Sequence, residues 1–421
     1  MIKTEVELND GAVATYADAV EGGHYSLYRG GLSGKHDNVR CYWEDQLRGN
    51  LIAPHLHRLI QSNRGEAQGI RIADLGCGSG EGLRLLTSWT IDQAPMQIPG
   101  NYVLPTSHIE SYTGCDLSEE MLDEGRRNFR EWPAVEFCIG DLSRGFPLRS
   151  YPSFDLYFTS YSSFSHVDNC AMVRLMRETV EHAREGSVIV CDWLGEYSVE
   201  WPVYWGKGET GMLDYSMSWL YPDALSHKQT HFPMRYWSGE QVRGLASGIS
   251  KATNIELKLV ELADISSFVG RHVQTRLYNP WASMVRGAVN MLHEENVRTD
   301  LSSLRVEFRS LSGFSEANIF YSNLMRAWNL VLDFCMDRMK RTISPLDMPG
   351  WSKFPLPLQS ALLTMERVFQ VAEFLKMGDP RANVIEPQLG YVLRDLEFSM
   401  QQGLGCGHAL VGVFKVGKKS N

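Results

Sequence analysis

The sequence predicts an α/β protein with a doubly wound, mostly parallel sheet and a helical insertion before the last strand. Three observations carry this prediction. An apolar run ending in an acid, Arg71-Ile-Ala-Asp74-Leu75, leads straight into a turn with glycine at alternate positions, Gly76, Gly78 and Gly80. Short apolar runs then alternate with helix-period segments as far as Trp193, the pattern of a parallel sheet covered by helices. From about 278 to 400 the spacing is helical, and a last β-like run follows at 408–416.

Taken in order, residues 1–36 combine Tyr16, Tyr25 and Tyr28 with Gly22, Gly23, Gly30 and Gly31, which predicts a loop-rich arm. From Asp37, Val39, Tyr42, Trp43, Leu47, Leu51, Leu56 and Leu59 recur at helical spacing. One amphipathic helix is expected there, or two if Pro54 interrupts it. Strands are expected at 69–75, 111–116, 135–139, 154–159 and 187–193, with helices at about 81–89, 118–131 and 168–185 between them. The stretch 90–110, with Pro95, Pro99 and Pro105, reads as a surface insertion. Residues 195–237 are crowded with aromatics, and a helix at 238–248 and a strand at 254–262 follow. Apolar residues at i, i+3, i+4 and i+7 predict helices at 281–295, 315–341 and 357–377. The expected organisation is an arm with lid helices at 1–60, a core at 61–277, a helical insertion at 278–400, and a final strand and tail at 401–421.

Composition narrows the function classes. The chain has 41 Lys and Arg against 50 Asp and Glu, with no dense basic run before the short tail at 415–419. A polyanionic partner would need a basic surface, so nucleic acid is not expected. The cysteines form no CxxC pair and several sit in apolar runs, as reduced core thiols of a cytoplasmic protein do. The N-terminal residues lack the basic-then-apolar order of a signal peptide. No apolar run approaches the ~20 residues of a membrane span, and no membrane partner is expected. The apolar density of 315–377 suits either a core or a homodimer interface.

Four segments carry chemistry. The glycine turn lets a ligand lie against bare backbone, and Glu81 occupies the place where a dinucleotide GxGxxG would have its third glycine. Asp116 closes the run Tyr112-Thr-Gly-Cys-Asp116, and an acid at that strand end can accept both hydroxyls of a ribose. The same residue could cap the helix that follows. Gly140-Asp141-Leu142 places a second acid after the next strand, and Phe154-Asp155 opens a strand that runs through Thr159, Ser160 and Tyr161 towards His166.

In this order the four segments resemble those of class I S-adenosylmethionine (SAM) methyltransferases, over roughly 60–270 and the terminal strand. The resemblance implies a seven-stranded sheet, SAM as cofactor, and a small-molecule acceptor of the kind methylated in bacterial specialised metabolism. It implies that Asp74, Gly76, Cys77, Gly78 and Gly80 face the methionine half of SAM and that Asp116, with Leu117 and Met121, holds the ribose. Asp141 and Leu142 would take the adenine, and Thr159, Ser160 and Tyr28 would complete the cofactor site. His166 is the first candidate for a base, because a neutral imidazole can accept a proton near pH 7. Tyr161, His24 and Glu196 are further catalytic candidates, with His231 and His272 behind them. Tyr25, Tyr28 and Trp43 are expected to form an aromatic lid that shields a cationic sulfonium. The unmatched 1–36 and 278–400 are expected to build the acceptor pocket. No metal is expected, since Asp168, Asn169 and Asp192 show no ligand spacing. An NAD-dependent oxidoreductase on the same architecture and a non-catalytic SAM-binding adaptor stay open.

Overall fold

The computed structural model describes residues 5–25, 32–63, 69–90, 102–220 and 231–419. Helix α1 (Glu5–Glu21) is followed by a π-helical turn, Arg40–Glu44, which runs directly into α2 (Asp45–Asn63). The alternating region gives β1 (Ile70–Leu75), α3 (Glu81–Ser88), β2 (Ile109–Asp116), α4 (Glu119–Asn128), β3 (Val135–Ile139), β4 (Leu156–Phe158), α5 (Asn169–His182) and β5 (Val188–Gly195). Then come β6 (Leu213–Ser216), β7 (His231–Met234), β8 (Tyr236–Trp237), α6 (Gly239–Thr253) and β9 (Ile255–Ile265). Helices α7 (Val285–Met291), α8 (Ser315–Arg338), α9 (Leu356–Ala372) and α10 (Glu386–Met400) precede β10 (Ala409–Lys419). Among the described residues no helix is long and apolar enough to cross a membrane.

The main sheet runs β3-β2-β1-β4-β5-β10-β9, with the two-residue β8 beside the end of β5. Strands β1 to β5 pair in parallel, and β10 is antiparallel to both β5 and β9. This is the seven-strand order of the class I fold. Strand order reverses between β1 and β4, and open α/β sheets bind ligands in the crevice at such a switch point.

Strand β5 is buried at all eight positions, which is why it reads as a continuous apolar run. The period of two sorts its side chains between the two faces. Ile72, Phe158, Val188 and Val190 face one cluster with α2, α3 and α8 to α10, while Ala73, Tyr157, Ile189 and Cys191 face α5 and α6. The inserted helices therefore share a core with the sheet: Trp43 tilts against Trp328 of α8 at 5.8 Å, and its Nε1–H donates to Glu397 of α10 at 3.3 Å.

One expectation is corrected here, and one pair of alternatives is decided. Residues 1–36 are not simply a loop-rich arm, because α1 occupies much of that stretch. Its run Ala12, Ala14, Ala17 and Ala19 favours a helix more than the neighbouring glycines oppose one. It packs on α4 and β7, with Ala12, Ala19 and Tyr25 in one cluster with Met121 and Phe232. Pro54 does not divide α2, whose buried face of Leu47, Leu51, Ile52, Leu56 and Leu59 holds the helix together across it.

Candidate active site

A cavity with about 1400 Å³ of atom-free space, its open mouth included, lies over the glycine turn at the carboxyl ends of β1, β2, β4 and β5. Its first half is built largely from backbone. Gly76 and Gly78 line it at φ +74° and +52°. A Cβ on Gly78 would meet nothing nearer than Met121 Cε at 3.8 Å, so that face of the turn is open to a ligand. Gly80 differs in purpose. A Cβ there would land 2.6 Å from the ring of Phe129, so this glycine serves packing and does not line the cavity.

Asp116 is gripped from both sides: its Oδ2 accepts from Gly78 N–H at 2.8 Å and its Oδ1 from Ser118 N–H at 3.0 Å. Each oxygen keeps a second acceptor site, enough for a pair of vicinal hydroxyls. The helix cap expected of Asp116 falls instead to Ser118, whose Oγ accepts from Met121 N–H at 3.2 Å. Asp141 lines the same half, fixed by Ser143 N–H at 2.9 Å and paired with Arg144 at 3.1 Å. Cys77, Leu117, Met121 and Leu142 complete this wall.

The second half is built from buried charge. Lys35 and Arg40 approach Glu81 at 2.7 and 3.4 Å. Burial alone would raise the Glu81 carboxyl, but Lys35, Arg40 and His36 outweigh it and hold the acid well below the usual carboxylate range. Arg48 places Nε and Nη2 each 2.9 Å from Asp192 Oδ2. That same carboxylate accepts from Tyr161 N–H at 2.9 Å and from Ser162 O–H at 3.3 Å. It thereby fixes a loop in which two successive non-glycine residues, Tyr161 and Ser162, sit at φ +54° and +63°. Such strain costs of order 1–3 kcal/mol per residue and persists only where the surroundings enforce it. Deeper in, Glu44 accepts from Arg271 at 3.0 Å and from Arg286 at 2.7 Å, and Arg286 also grips Asp37.

Of the residues expected at the site, the structure brings Gly76, Cys77, Gly78, Asp116, Leu117, Met121, Asp141, Leu142, Ser160, Tyr161 and His166 to this one cavity. It does not bring the others. Asp74 lies fully buried against α3, where its Oδ2 accepts from Tyr112 O–H at 2.7 Å and its Oδ1 has no partner among the described residues. Burial pushes its carboxyl up to about 7. Thr159 uses its hydroxyl to accept from Asp192 N–H at 3.0 Å, tying β4 to β5. Glu196 turns away to accept from Gly208 N–H at 3.0 Å. His24 closes the turn after α1 and is not on the cavity wall. Tyr28 lies outside the described residues.

Of the expected lid, Tyr25 lines the cavity beneath Lys35, whereas Trp43 is in the core. His231 pairs with Asp214 at 2.9 Å, off the wall, and His272 lies buried behind it. The three residues weighed for a metal all have other partners: Asp168 caps α5, Asn169 accepts from Arg235, and Asp192 holds Arg48. The range 278–400 is expected from the sequence to help build an acceptor pocket. Among the described residues that line the cavity, none lies in that range.

Among the described residues, His166 and His408 are the histidines on the cavity wall. His166 stacks on Phe232 at 5.6 Å, its Nε2 is 3.0 Å from Tyr16 Oη, and burial lowers its pKa to about 4. His408 stands in the run Gly405-Cys406-Gly407-His408 that leads into β10, and no motif in the sequence singles it out. Its Nδ1 lies 2.7 Å from Glu200 Oε2. Arg40, Glu44, Arg48, Glu81 and Arg271 are further wall residues that the sequence reading missed. The spacing i, i+4, i+8 of Arg40, Glu44 and Arg48 was the available signal, since it puts three charges on one helical stripe beside Val39, Trp43 and Leu47.

The sheet order is that of the class I methyltransferase fold, with the glycine turn and the strand-end acids at its switch point. Residues 99–186 match the family model described as a methyltransferase domain, a span that includes Asp116, Asp141, Tyr161 and His166. No curated protein matches the sequence. Among solved structures, the chain is similar to DhpI in complex with SAH, at 14% identity over 60% of this chain and 91% of that one, with a TM-score of 0.35. It is similar to a SAM-dependent methyltransferase from Mesorhizobium loti, at 18% identity over 48% and 79%, with a TM-score of 0.30. It is also similar to the [4+2]-cyclase SpnF, at 17% identity over 61% and 74%, with a TM-score of 0.34.

Proposed function

We propose that the protein moves a methyl group from SAM to a small-molecule acceptor bound in the second half of the cavity. The observation that carries this reading is the pairing of Gly78, open on its ligand face, with Asp116, whose carboxylate is aimed by two backbone N–H groups and retains acceptor sites for a ribose. Asp141 and Leu142 would hold the adenine, and Gly76 and Cys77 would lie along the methionine portion. Bound SAM would supply a sulfonium methyl already activated for displacement.

What the chain itself has to do is align an acceptor and exclude water. Orientation of this kind is worth about 7–11 kcal/mol in favourable cases. Leu194, Tyr215, Met217, Trp219 and Met234 give the acceptor half an apolar and aromatic lining, which suits a flat small molecule. The fixed loop at Tyr161 and Ser162 would set one edge of that space.

Calorimetric titration with SAM and with NADH tests the reading. SAM is expected to bind and NADH is not, and Asp116→Ala should weaken SAM about 100-fold, as the loss of charge-assisted hydrogen bonds predicts. Equal SAM affinity in Asp116→Ala would remove the ribose assignment. Binding of NADH alone would replace the methyltransferase reading with the oxidoreductase one.

A further inference from the structure

His408 and Glu200 form a pair that the cofactor half of the cavity does not need. Glu200 is fully buried in the loop after β5. Its Oε2 meets His408 Nδ1 at 2.7 Å, and its Oε1 accepts from His272 N–H. Burial opposes its charge, but His408 and the His272 N–H outweigh burial and hold the Glu200 carboxyl below the usual range. An ionised carboxylate can only accept, so Nδ1 must be the ring nitrogen that carries the proton. In the neutral ring Nε2 is then a free acceptor, and it has no hydrogen-bond partner among the described residues.

The position of this ring is as specific as its tautomer. His408 is 8% exposed and lines the cavity. Its carbonyl accepts from Gly195 N–H at 3.2 Å, and its own N–H donates to Ser266 O at 3.1 Å, so the backbone is pinned between the ends of β5 and β9. Trp201 packs against the imidazole at 5.6 Å. The charged and titratable groups that face it are Glu200, Glu44, Arg271 and His272. His166 lacks this arrangement. It has no carboxylate partner among the described residues, and burial lowers its pKa to about 4.

We infer that His408, oriented by Glu200, is the proton acceptor for a protic nucleophile, a hydroxyl or amine, bound in the acceptor half of the cavity. This rests on the SAM reading above. The electron pair of the acceptor's oxygen or nitrogen forms the bond to the methyl carbon, and the pair of the methyl–sulfur bond passes to sulfur, which loses its positive charge. The acceptor proton goes to Nε2 of His408, and Glu200 stabilises the resulting imidazolium. Glu200 is a positioning residue in this scheme.

The first test needs no turnover. Nitrogen-15 NMR of histidine-labelled protein, with the His408 signals assigned by their loss in His408→Asn, is expected to show the Nδ1–H tautomer with Nε2 unprotonated. In Glu200→Gln the Nε2–H tautomer should appear. An Nε2–H tautomer in the unsubstituted protein overturns the inference, because no base would then face the acceptor.

The second test measures S-adenosylhomocysteine release with phenols and with benzoates of matched ring size. Phenols are expected to turn over, with kcat lowered about 100- to 1000-fold in His408→Asn, the range of general-base contributions. SAM affinity should be unchanged, because asparagine keeps an N–H donor towards Glu200 and leaves the cofactor half intact. Glu200→Gln should lower kcat about tenfold without raising KM, a modest share of that general-base range. Release with benzoates alone, or undiminished release from phenols in His408→Asn, overturns the inference while leaving the SAM reading in place. Failure of the unsubstituted protein to bind SAM would instead sink that reading.

Discussion

The two halves of the cavity are built on different principles. The cofactor half is made by short chain segments, 76–78, 116–121 and 140–143, in which backbone N–H groups aim one carboxylate and a bare glycine exposes the turn. The acceptor half gathers Lys35, Arg40, Glu44, Arg48, Tyr161, Arg271 and His408 from across the chain, and side chains hold one another in place there. One half is local, and its shape rests on backbone more than on side chains. The other is non-local, and each charge in it depends on its partner.

The sharpest way to break that contrast is Arg48→Met. Removing this guanidinium leaves Asp192 buried without its cation, a loss worth about 3–5 kcal/mol. Urea unfolding should register the whole of it, whereas Asp116→Asn should shift stability less, because the amide oxygen keeps one of the two backbone N–H partners and no buried charge is left unpaired. Comparable destabilisation by the two variants would erase the distinction. An effect of similar size, about 4 kcal/mol at about 1.4 kcal/mol per pKa unit, is expected from Asp74 across its titration range. Its carboxyl is raised from 3.8 to about 7, so between those values the folded state binds more protons than the unfolded one. Stability should therefore fall as pH rises from about 4 to about 7, and this slope should flatten in Asp74→Asn. An unchanged slope in that variant would assign the pH dependence to another group.

How much of this was legible in the sequence follows from the same contrast. Strands β1, β2, β3 and β5 and the residues that terminate them could be read from local pattern, because the inner strands are short, largely buried apolar runs with defined ends and the partly exposed edge strand β3 still carries Val135, Phe137 and Ile139 in alternation. Asp116, Asp141 and the glycine turn came with them. Gly80 could not be told from Gly78, since the difference is the ring of Phe129, far along the chain and alongside only once α4 packs. Asp74 could not be told from a ligand-facing acid, since its partner Tyr112 sits on the neighbouring strand. His408 carried no local signal at all. Its meaning comes from Glu200, 208 residues earlier, brought alongside only when β10 enters between β5 and β9.

Gly78→Ala gives the smallest expected effect and the finest test of the local half. At φ +52° an alanine pays about 1–2 kcal/mol for the left-handed backbone, yet its Cβ meets no protein atom closer than ordinary van der Waals contact. The strain should appear in the unfolding free energy. The added methyl should appear separately, as a loss of SAM affinity larger than the strain alone accounts for, because it projects into the space a ligand would fill. If SAM binds Gly78→Ala as tightly as the unsubstituted protein, the open face of the turn is not the ligand's resting place. The glycine would then be needed only for the bend, as Gly80 is needed for packing.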